Sequence, residues 1–374
     1  MYIMKKVRIL HMTPPIVNNG IYKYIFMLYK YIDKEKFEFE FLMQAPEELK
    51  KTVEWQQYQF KICSFTTTQR ENPEKFRKEI YDILSAGYDV LELHTSYWRG
   101  FMIEEIAMEM GIPHVIVHSH SSGVDNNDME ERKRQEAIHL QFRQVFGTQY
   151  ATEFWACSWK AAEWLFGDRI PRNKIRIVNN AIEAEKYQFN PRVRDKIRKQ
   201  LKIENNFVIG HTGRFEYQKN HHFLLQVFKK VWTNKPFVKL LLVGEGQLKS
   251  KIEEYAIELG IYDQIIFLGW RNDIPDLLQA MDMYCLPSWF EGLPIVMVEA
   301  QSADLKCISS SEVTNEVKIL DDYEVLPLEE DVWIKSINTY IQNSRPRKEN
   351  IELIRKSGFD IQSQIRDLEE LYCN

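Results

Sequence analysis

Short apolar runs alternate with longer amphipathic stretches along the whole chain, and this alternation most constrains what it can fold into. Runs of strand length separated by stretches of helix length are the pattern of parallel strands joined by crossover helices. In the first half, Val7–Met12, Phe37–Met43, Val90–His94, His114–His118 and Phe154–Cys157 read as strands. Between them, Ile21–Ile32 sets Ile21, Tyr24, Ile25, Leu28 and Ile32 on one helical face, and Phe76–Leu84 and Met102–Met110 behave similarly. The second half repeats the architecture without a visible sequence repeat. Its predicted strands are Val208–Thr212, Lys239–Val243, Gln264–Leu268, Met283–Pro287 and Lys306–Ser309. Its predicted helices are Asn220–Trp232, Gln247–Leu259, Ile274–Met281 and Pro294–Gln301. Asn220 reads as an N-cap, with Phe223, Leu224, Val227, Phe228 and Val231 forming the buried stripe behind it. The expected class is α/β.

At 374 residues the chain exceeds the usual size of one domain, so two are expected. The boundary falls near residue 183, inside Ile175–Tyr187, giving regions 1–183 and 184–357. The segment from there to Asn206 is charged and reads as solvated, as do Glu130–Arg134 and Arg345–Lys348. Asp360–Tyr372 reads as a terminal helix, with Ile361, Ile365, Leu368 and Leu371 apolar.

A net charge of −5 gives no support to a nucleic-acid partner. The five cysteines, Cys63, Cys157, Cys285, Cys307 and Cys373, form no CxxC pair, which argues against a disulfide framework or zinc site and fits a reducing compartment. Met1–Leu10 lacks a signal-peptide core, and no apolar run approaches the roughly 18 residues of a membrane span. A cytoplasmic protein is expected. Contact with the inner membrane face stays open, because Lys23 and Lys30 beside aromatic and aliphatic residues suit either a membrane surface or a plain packed helix.

Four strand ends in the second half carry candidate chemistry. Ser288-Trp-Phe-Glu-Gly-Leu-Pro-Ile-Val-Met-Val-Glu299 leads from a strand into a helix, and Gly292 permits the tight turn. Free N–H groups at such a helix start face the carboxyl edge of the sheet, where doubly wound proteins bind ligands. Glu291 and Glu299 bracket the turn, and a carboxylate among Ile295, Val296, Met297 and Val298 needs a partner, for which vicinal hydroxyls serve as well as a cation. His211-Thr-Gly-Arg-Phe-Glu-Tyr-Gln-Lys-Asn220 places Arg214 and Lys219 after a buried strand, and a planar guanidinium with an ammonium suits a diphosphate. Leu242-Val-Gly-Glu-Gly246 and Phe267-Leu-Gly-Trp-Arg271 add two more glycine turns on that rim. In the first half, Val115-Ile-Val-His-Ser-His-Ser-Ser-Gly123 runs from a buried strand into a polar loop.

The spacing of Glu291 and Glu299, with Gly-Leu-Pro after the first, resembles the signature of the GT4 family of retaining glycosyltransferases. Thr212 to Asn220, Val-Gly-Glu-Gly and Phe-Leu-Gly-Trp are similar to that family in the same order, and the resemblance is dense from about Val208 to Glu299. Arg8-Ile-Leu-His-Met12 and Ser357-Gly-Phe-Asp-Ile361 resemble its bacterial capsule and exopolysaccharide members. The resemblance implies the GT-B fold, two Rossmann-like domains facing across a cleft, with the helix 358–374 packed back on the first domain. It implies a nucleoside-diphosphate sugar, UDP by preference, as donor and a glycan or lipid-linked oligosaccharide as acceptor. Arg214 and Lys219 would hold the donor diphosphate, Glu291 the transferred sugar and Glu299 the ribose. Gly20, Gly213 and Gly244 would let backbone approach the donor, Gly292, Leu293, Pro294 and Ile295 would lend N–H groups, and Trp270 and Arg271 would border the base. His120 would lie near the reacting sugar, with His118 and His94 as further acceptor-side candidates.

The chain departs from the family where Asn18-Asn19-Gly20 stands for two adjacent glycines and Ala303-Asp304-Leu305-Lys306 for a Gly-x-Pro turn. No Asp-x-Asp follows a strand, so no metal is expected, and no cofactor beyond the donor. The rival readings are a UDP-sugar epimerase of similar shape, a phosphorylase with pyridoxal phosphate, and a non-catalytic subunit that binds a nucleotide or glycan.

Overall fold

The computed structural model describes residues 5–12, 19–44 and 46–373. The chain forms two compact units. One comprises Met1–Val124, Lys133–Ala181 and Ile361–Asn374, the other Asp125–Arg132 and Ile182–Asp360.

The first unit is built on a seven-stranded sheet. Its strands are β1 (Val7–Met12), β2 (Phe37–Met43), β3 (Ile62–Ser64), β4 (Val90–Thr95), β5 (His114–Ser119), β6 (Glu153–Ala156) and β7 (Ile175–Ile177). They lie in the order β3-β2-β1-β4-β5-β6-β7, every neighbouring pair parallel. The central strands are buried, as a sheet covered by helices requires. Helix Gly20–Tyr31 begins at Asn19, whose side chain accepts from the N–H of Tyr22. The terminal helix Ile361–Cys373 belongs to this unit and buries Ile361, Ile365, Leu368 and Tyr372.

The second unit holds β8 (Phe207–Thr212), β9 (Val238–Val243), β10 (Ile265–Phe267), β11 (Met283–Leu286), β12 (Lys306–Ser310) and β13 (Glu324–Leu326). Its parallel sheet runs β10-β9-β8-β11-β12-β13, so the strand order reverses between β8 and β11. Leu224, Val227, Phe228 and Val231 of helix His221–Asn234 pack with Leu240 and Leu242 in the core. Every one of these side chains is fully or almost fully out of water, and each contributes roughly 1.5–3 kcal/mol by burial.

Three expectations are corrected. Asn220 does stand at the N-cap, but in a left-handed conformation (φ 52°) and without a side-chain cap bond; its amide donates to the Pro287 carbonyl at 3.1 Å instead. The charged stretch before Asn206 contains helix Pro191–Leu201, capped by Asn190, and Arg198 on it is buried against the Ala280 carbonyl and Asp282. Arg345 binds Asp304 and Asp322, while Arg347 donates to the carbonyls of Ala303, Gln279 and Met281, so that run is a strap and not a solvated face. Burial lowers the Arg347 guanidinium to about 9. Among the described residues, no helix is long and apolar enough to cross a membrane.

Candidate active site

The second unit gathers its candidates at the carboxyl ends of β8, β9, β10 and β11, around the reversal of strand order where doubly wound sheets open a crevice. The turns after β8, β9 and β10 touch through backbone. Gly244 N donates to the Gly269 carbonyl at 2.8 Å and Gly213 N to Val243 O at 2.9 Å. Gly244 lies at φ +144°, and a Cβ there would meet the Gly213 carbonyl oxygen at 1.9 Å, so only glycine fits.

Lys219 and Glu291 form a buried ion pair, Nζ to Oε1 at 2.6 Å. Ser288 Oγ donates to the same oxygen at 2.8 Å, and Gln218 Nε2 donates to Oε2 at 3.1 Å. Glu291 is thus clamped by three side chains from two strand ends. Glu299, also buried, accepts from the Tyr187 hydroxyl at 2.8 Å. Burial, with the Glu299 charge added, raises Tyr187 well above the usual phenol range, so it remains a donor. Leu293 and Pro294 lead into helix Ile295–Ser302, and Pro294 stands just outside it, one position earlier than expected. Gly292 and Leu293 are buried. Trp270 is exposed, and Arg271 pairs with Asp273.

Arg214 is half-exposed and bonds the Asp125 carboxylate at 2.7 Å. The other Asp125 oxygen accepts from Gln218 N at 3.1 Å, and Asn127 Oδ1 accepts from Tyr217 N at 2.8 Å. Arg132 stacks its guanidinium 3.5 Å from the centre of the Tyr217 ring. Segment 125–132 therefore clasps the Arg214 loop, a role invisible in sequence, where it is only a polar loop some ninety positions away.

The first unit assembles its histidines on one face of its sheet. Parallel register sets His11 beside Glu92 and His94 beside His118, so Glu92, His94, His118 and His120 alternate onto the face that His11 shares. All five side chains are buried. His94 Nδ1 lies 2.8 Å from His120 Nε2, and His94 Nε2 lies 3.0 Å from His11 Nδ1. His118 Nδ1 lies 2.8 Å from Glu92 Oε1, and the Tyr372 hydroxyl donates to Oε2 at 2.6 Å. Burial lowers His94 and His120 well below the usual imidazole value, and His11 to about 4. Burial alone would raise Glu92, but His11, His118 and Tyr372 outweigh it and hold the carboxyl below its usual range. His11 and Glu92 escaped the sequence reading, although the Glu92-x-His94 and His118-x-His120 alternation pointed to that face. Gly20 starts its helix in this unit, exposed, and its neighbour Asn18 lies outside the described residues.

Residues 193–357 match the family model described as glycosyl transferases group 1. The putative glycosyltransferase EpsF of Bacillus subtilis is 28% identical over 98% of this chain and 96% of its own length. An Escherichia coli relative, UDP-Gal:alpha-D-GlcNAc-diphosphoundecaprenol alpha-1,3-galactosyltransferase, is 25% identical over 77% of this chain and 76% of its own. The crystal structure of Anabaena HepE in complex with UDP shares the fold at TM-score 0.75 and 17% identity, over 98% of this chain and 99% of that one. The fold is that of GT-B glycosyltransferases such as HepE. Within the second unit, residues 193–357 are those similar to group 1 glycosyl transferases, and the protein is a transferase enzyme.

Proposed function

We propose that the protein moves a sugar from a UDP-sugar to a hydroxyl of a glycan or lipid-linked oligosaccharide during polysaccharide assembly, with retention at the anomeric carbon. The observation that carries this reading is the convergence of Arg214 with the buried Lys219–Glu291 pair at the reversal point of the second sheet. Arg214 exchanges the Asp125 carboxylate for the donor diphosphate, and Lys219 adds its charge as the leaving group forms. Glu291 receives hydroxyls of the transferred sugar and Glu299, beside Tyr187, the ribose. Gly213, Gly244 and residues 292–295 bring backbone to the phosphates and sugar, and Trp270 and Arg271 flank the base. His120, backed by His94 and His118, serves the acceptor side.

Two fixed cations supply the positive charge, so transfer proceeds without a divalent ion or other cofactor. The donor and acceptor classes follow the E. coli relative, named for UDP-Gal and a diphosphoundecaprenol-linked sugar. Such an acceptor brings the enzyme to the inner membrane face as a peripheral protein.

The test is a thermal-shift panel of nucleoside diphosphates and their sugar conjugates, with EDTA present, on wild type, Lys219→Ala and Arg214→Ala. Binding at 100 times Kd adds about 2.7 kcal/mol of stability. Stabilisation by uridine nucleotides that both substitutions weaken is the expected result. No response to any nucleotide would sink the donor site.

A further inference from the structure

The second sheet carries an unused hydrogen-bond acceptor beneath its candidate site. His211, next to last in β8, is fully buried, and its Nδ1 lies 2.8 Å from the Cys285 carbonyl of β11. A carbonyl oxygen only accepts, so Nδ1 carries the hydrogen. Burial, to which the Lys219 charge adds, lowers His211 to about 4, so the ring is neutral near pH 7. Its Nε2 is therefore a bare lone pair. That lone pair is buried without a hydrogen-bond partner, where buried polar atoms are ordinarily satisfied.

The Lys219 side chain borders it. A Cβ added at Gly213 would stand 3.1 Å from His211 Nε2, and 3.1 and 3.2 Å from Cε and Cδ of Lys219. One gap, kept open by the Cβ that Gly213 lacks, thus lies between the lone pair and the lysine stem. Among the described residues, Lys219 Nζ meets one acceptor, Glu291 Oε1 at 2.6 Å, although an ammonium has three hydrogens to give. The other ring against His211 is His221, edge to face at 4.7 Å and stacked on Phe215. Its Nε2 also lacks a partner, and burial holds it neutral, so Lys219 is the charged donor that shares the gap. The two places open to that ammonium differ in what they do to its charge. Beside Glu291 it is neutralised by a carboxylate. A neutral imidazole holds one N–H without cancelling the charge and leaves two hydrogens for phosphate oxygens.

We propose that the Nε2 lone pair of His211 is a second seat for the Lys219 ammonium, taken when the diphosphate draws it off Glu291. The move opens Glu291 to the hydroxyls of the transferred sugar and sets an uncancelled cation against the leaving group. His211 is a positioning residue, and the inference rests on the donor site proposed above.

Full-length protein labelled with 15N-histidine reads both states from its two-bond imidazole 1H–15N spectrum, with His211 assigned by its loss in His211→Gln. Without nucleotide, Nδ1 is protonated and Nε2 is bare; saturating UDP moves the Nε2 signal upfield, to that of a hydrogen-bonded acceptor. In Lys219→Met, whose side chain fills similar space without an N–H, saturating UDP leaves the signal in place. Titration calorimetry with UDP then ranks two variants. His211→Gln sets an amide oxygen near the place of Nε2 and loses the Cys285 bond, whereas His211→Asn keeps a donor for Cys285 and loses the acceptor. UDP binding weakens on the order of 10-fold in His211→Asn and stays near wild type in His211→Gln. A merely structural role would rank them the other way. A proton on Nε2 in the free protein, an Nε2 signal that UDP leaves unmoved in wild type or still moves in Lys219→Met, or a His211→Gln variant weakened as much as His211→Asn would each overturn the inference. Wild type that binds UDP with an unmoved Nε2 leaves the donor site standing, while wild type that binds no UDP sinks that site and this inference together.

Discussion

Both units end their parallel sheets in a buried polar cluster, but the two clusters are made of opposite materials. The second unit uses fixed charges in pairs, Lys219 with Glu291 and Arg214 with Asp125. The first has one fixed charge, Glu92, among His11, His94, His118 and His120. Ion pairs can exchange a carboxylate for another anion without moving a proton, as the proposed diphosphate site would require. Neutral imidazoles hold no charge to exchange, and among themselves they can only redistribute protons. Their placement differs accordingly: loop residues after strand ends in one, alternate residues of strands and strand ends in the other.

The comparison breaks most visibly in turnover. Lys219→Ala and Arg214→Ala should each lower kcat on the order of 10²-fold or more. Lys219→Ala also leaves Glu291 buried without its cation, at about 3–5 kcal/mol, so its unfolding midpoint falls while that of half-exposed Arg214→Ala stays near wild type. Near-normal kcat in both would remove the functional side of the contrast. Next in size, Gly244→Ala should destabilise the second unit by on the order of 2–3 kcal/mol and abolish the uridine-nucleotide shift, as differential scanning calorimetry with and without UDP would show. A tolerated alanine would mean that the three strand-end turns do not pack as a rigid rim.

The smallest effects are in pH dependence. His11, with a folded value of about 4, binds its proton more weakly folded than unfolded. Its contribution is complete above about 6.5 and is lost as pH falls toward 4, at roughly 1.4 kcal/mol per unit. Glu104 of the first unit has the opposite sign, because burial raises its carboxyl to about 8. Its stability is complete below about 4.5 and is lost as pH rises to 8, so Glu104→Gln should gain on wild type across that window at about 1.4 kcal/mol per unit. Urea titrations at successive pH values measure both slopes. Parallel curves for wild type and Glu104→Gln would contradict the second.

What was legible followed sequence distance. Most strands of both sheets stood out by their apolar runs, and the stretches 211–220 and 288–299 by local spacing, because a strand–turn–helix passage keeps its partners within a dozen residues. The three-residue strands β3 and β13 are short and lack the apolar run that marks the equally short β10. Asp125 and Asn127 reach the Arg214 loop across about ninety positions, and His11 meets His94 through sheet register, which no single stretch encodes. Charge misled where it is buried, as with Arg198 and Arg347, since a guanidinium that collects carbonyl oxygens looks in sequence like one in water.

The helix Ile361–Cys373 closes a unit whose other parts end at Ala181. Tyr372 reaches Glu92, and Glu369 caps the backbone N–H of Asp33, so the first sheet acquires its last cover from the final stretch of chain. During synthesis at about 5–20 residues per second, the ribosome must finish the entire second unit before that helix exists. The part of the protein made first is therefore the part completed last. For roughly 10–40 s the surface that Ile365 and Leu368 cover stands open to water.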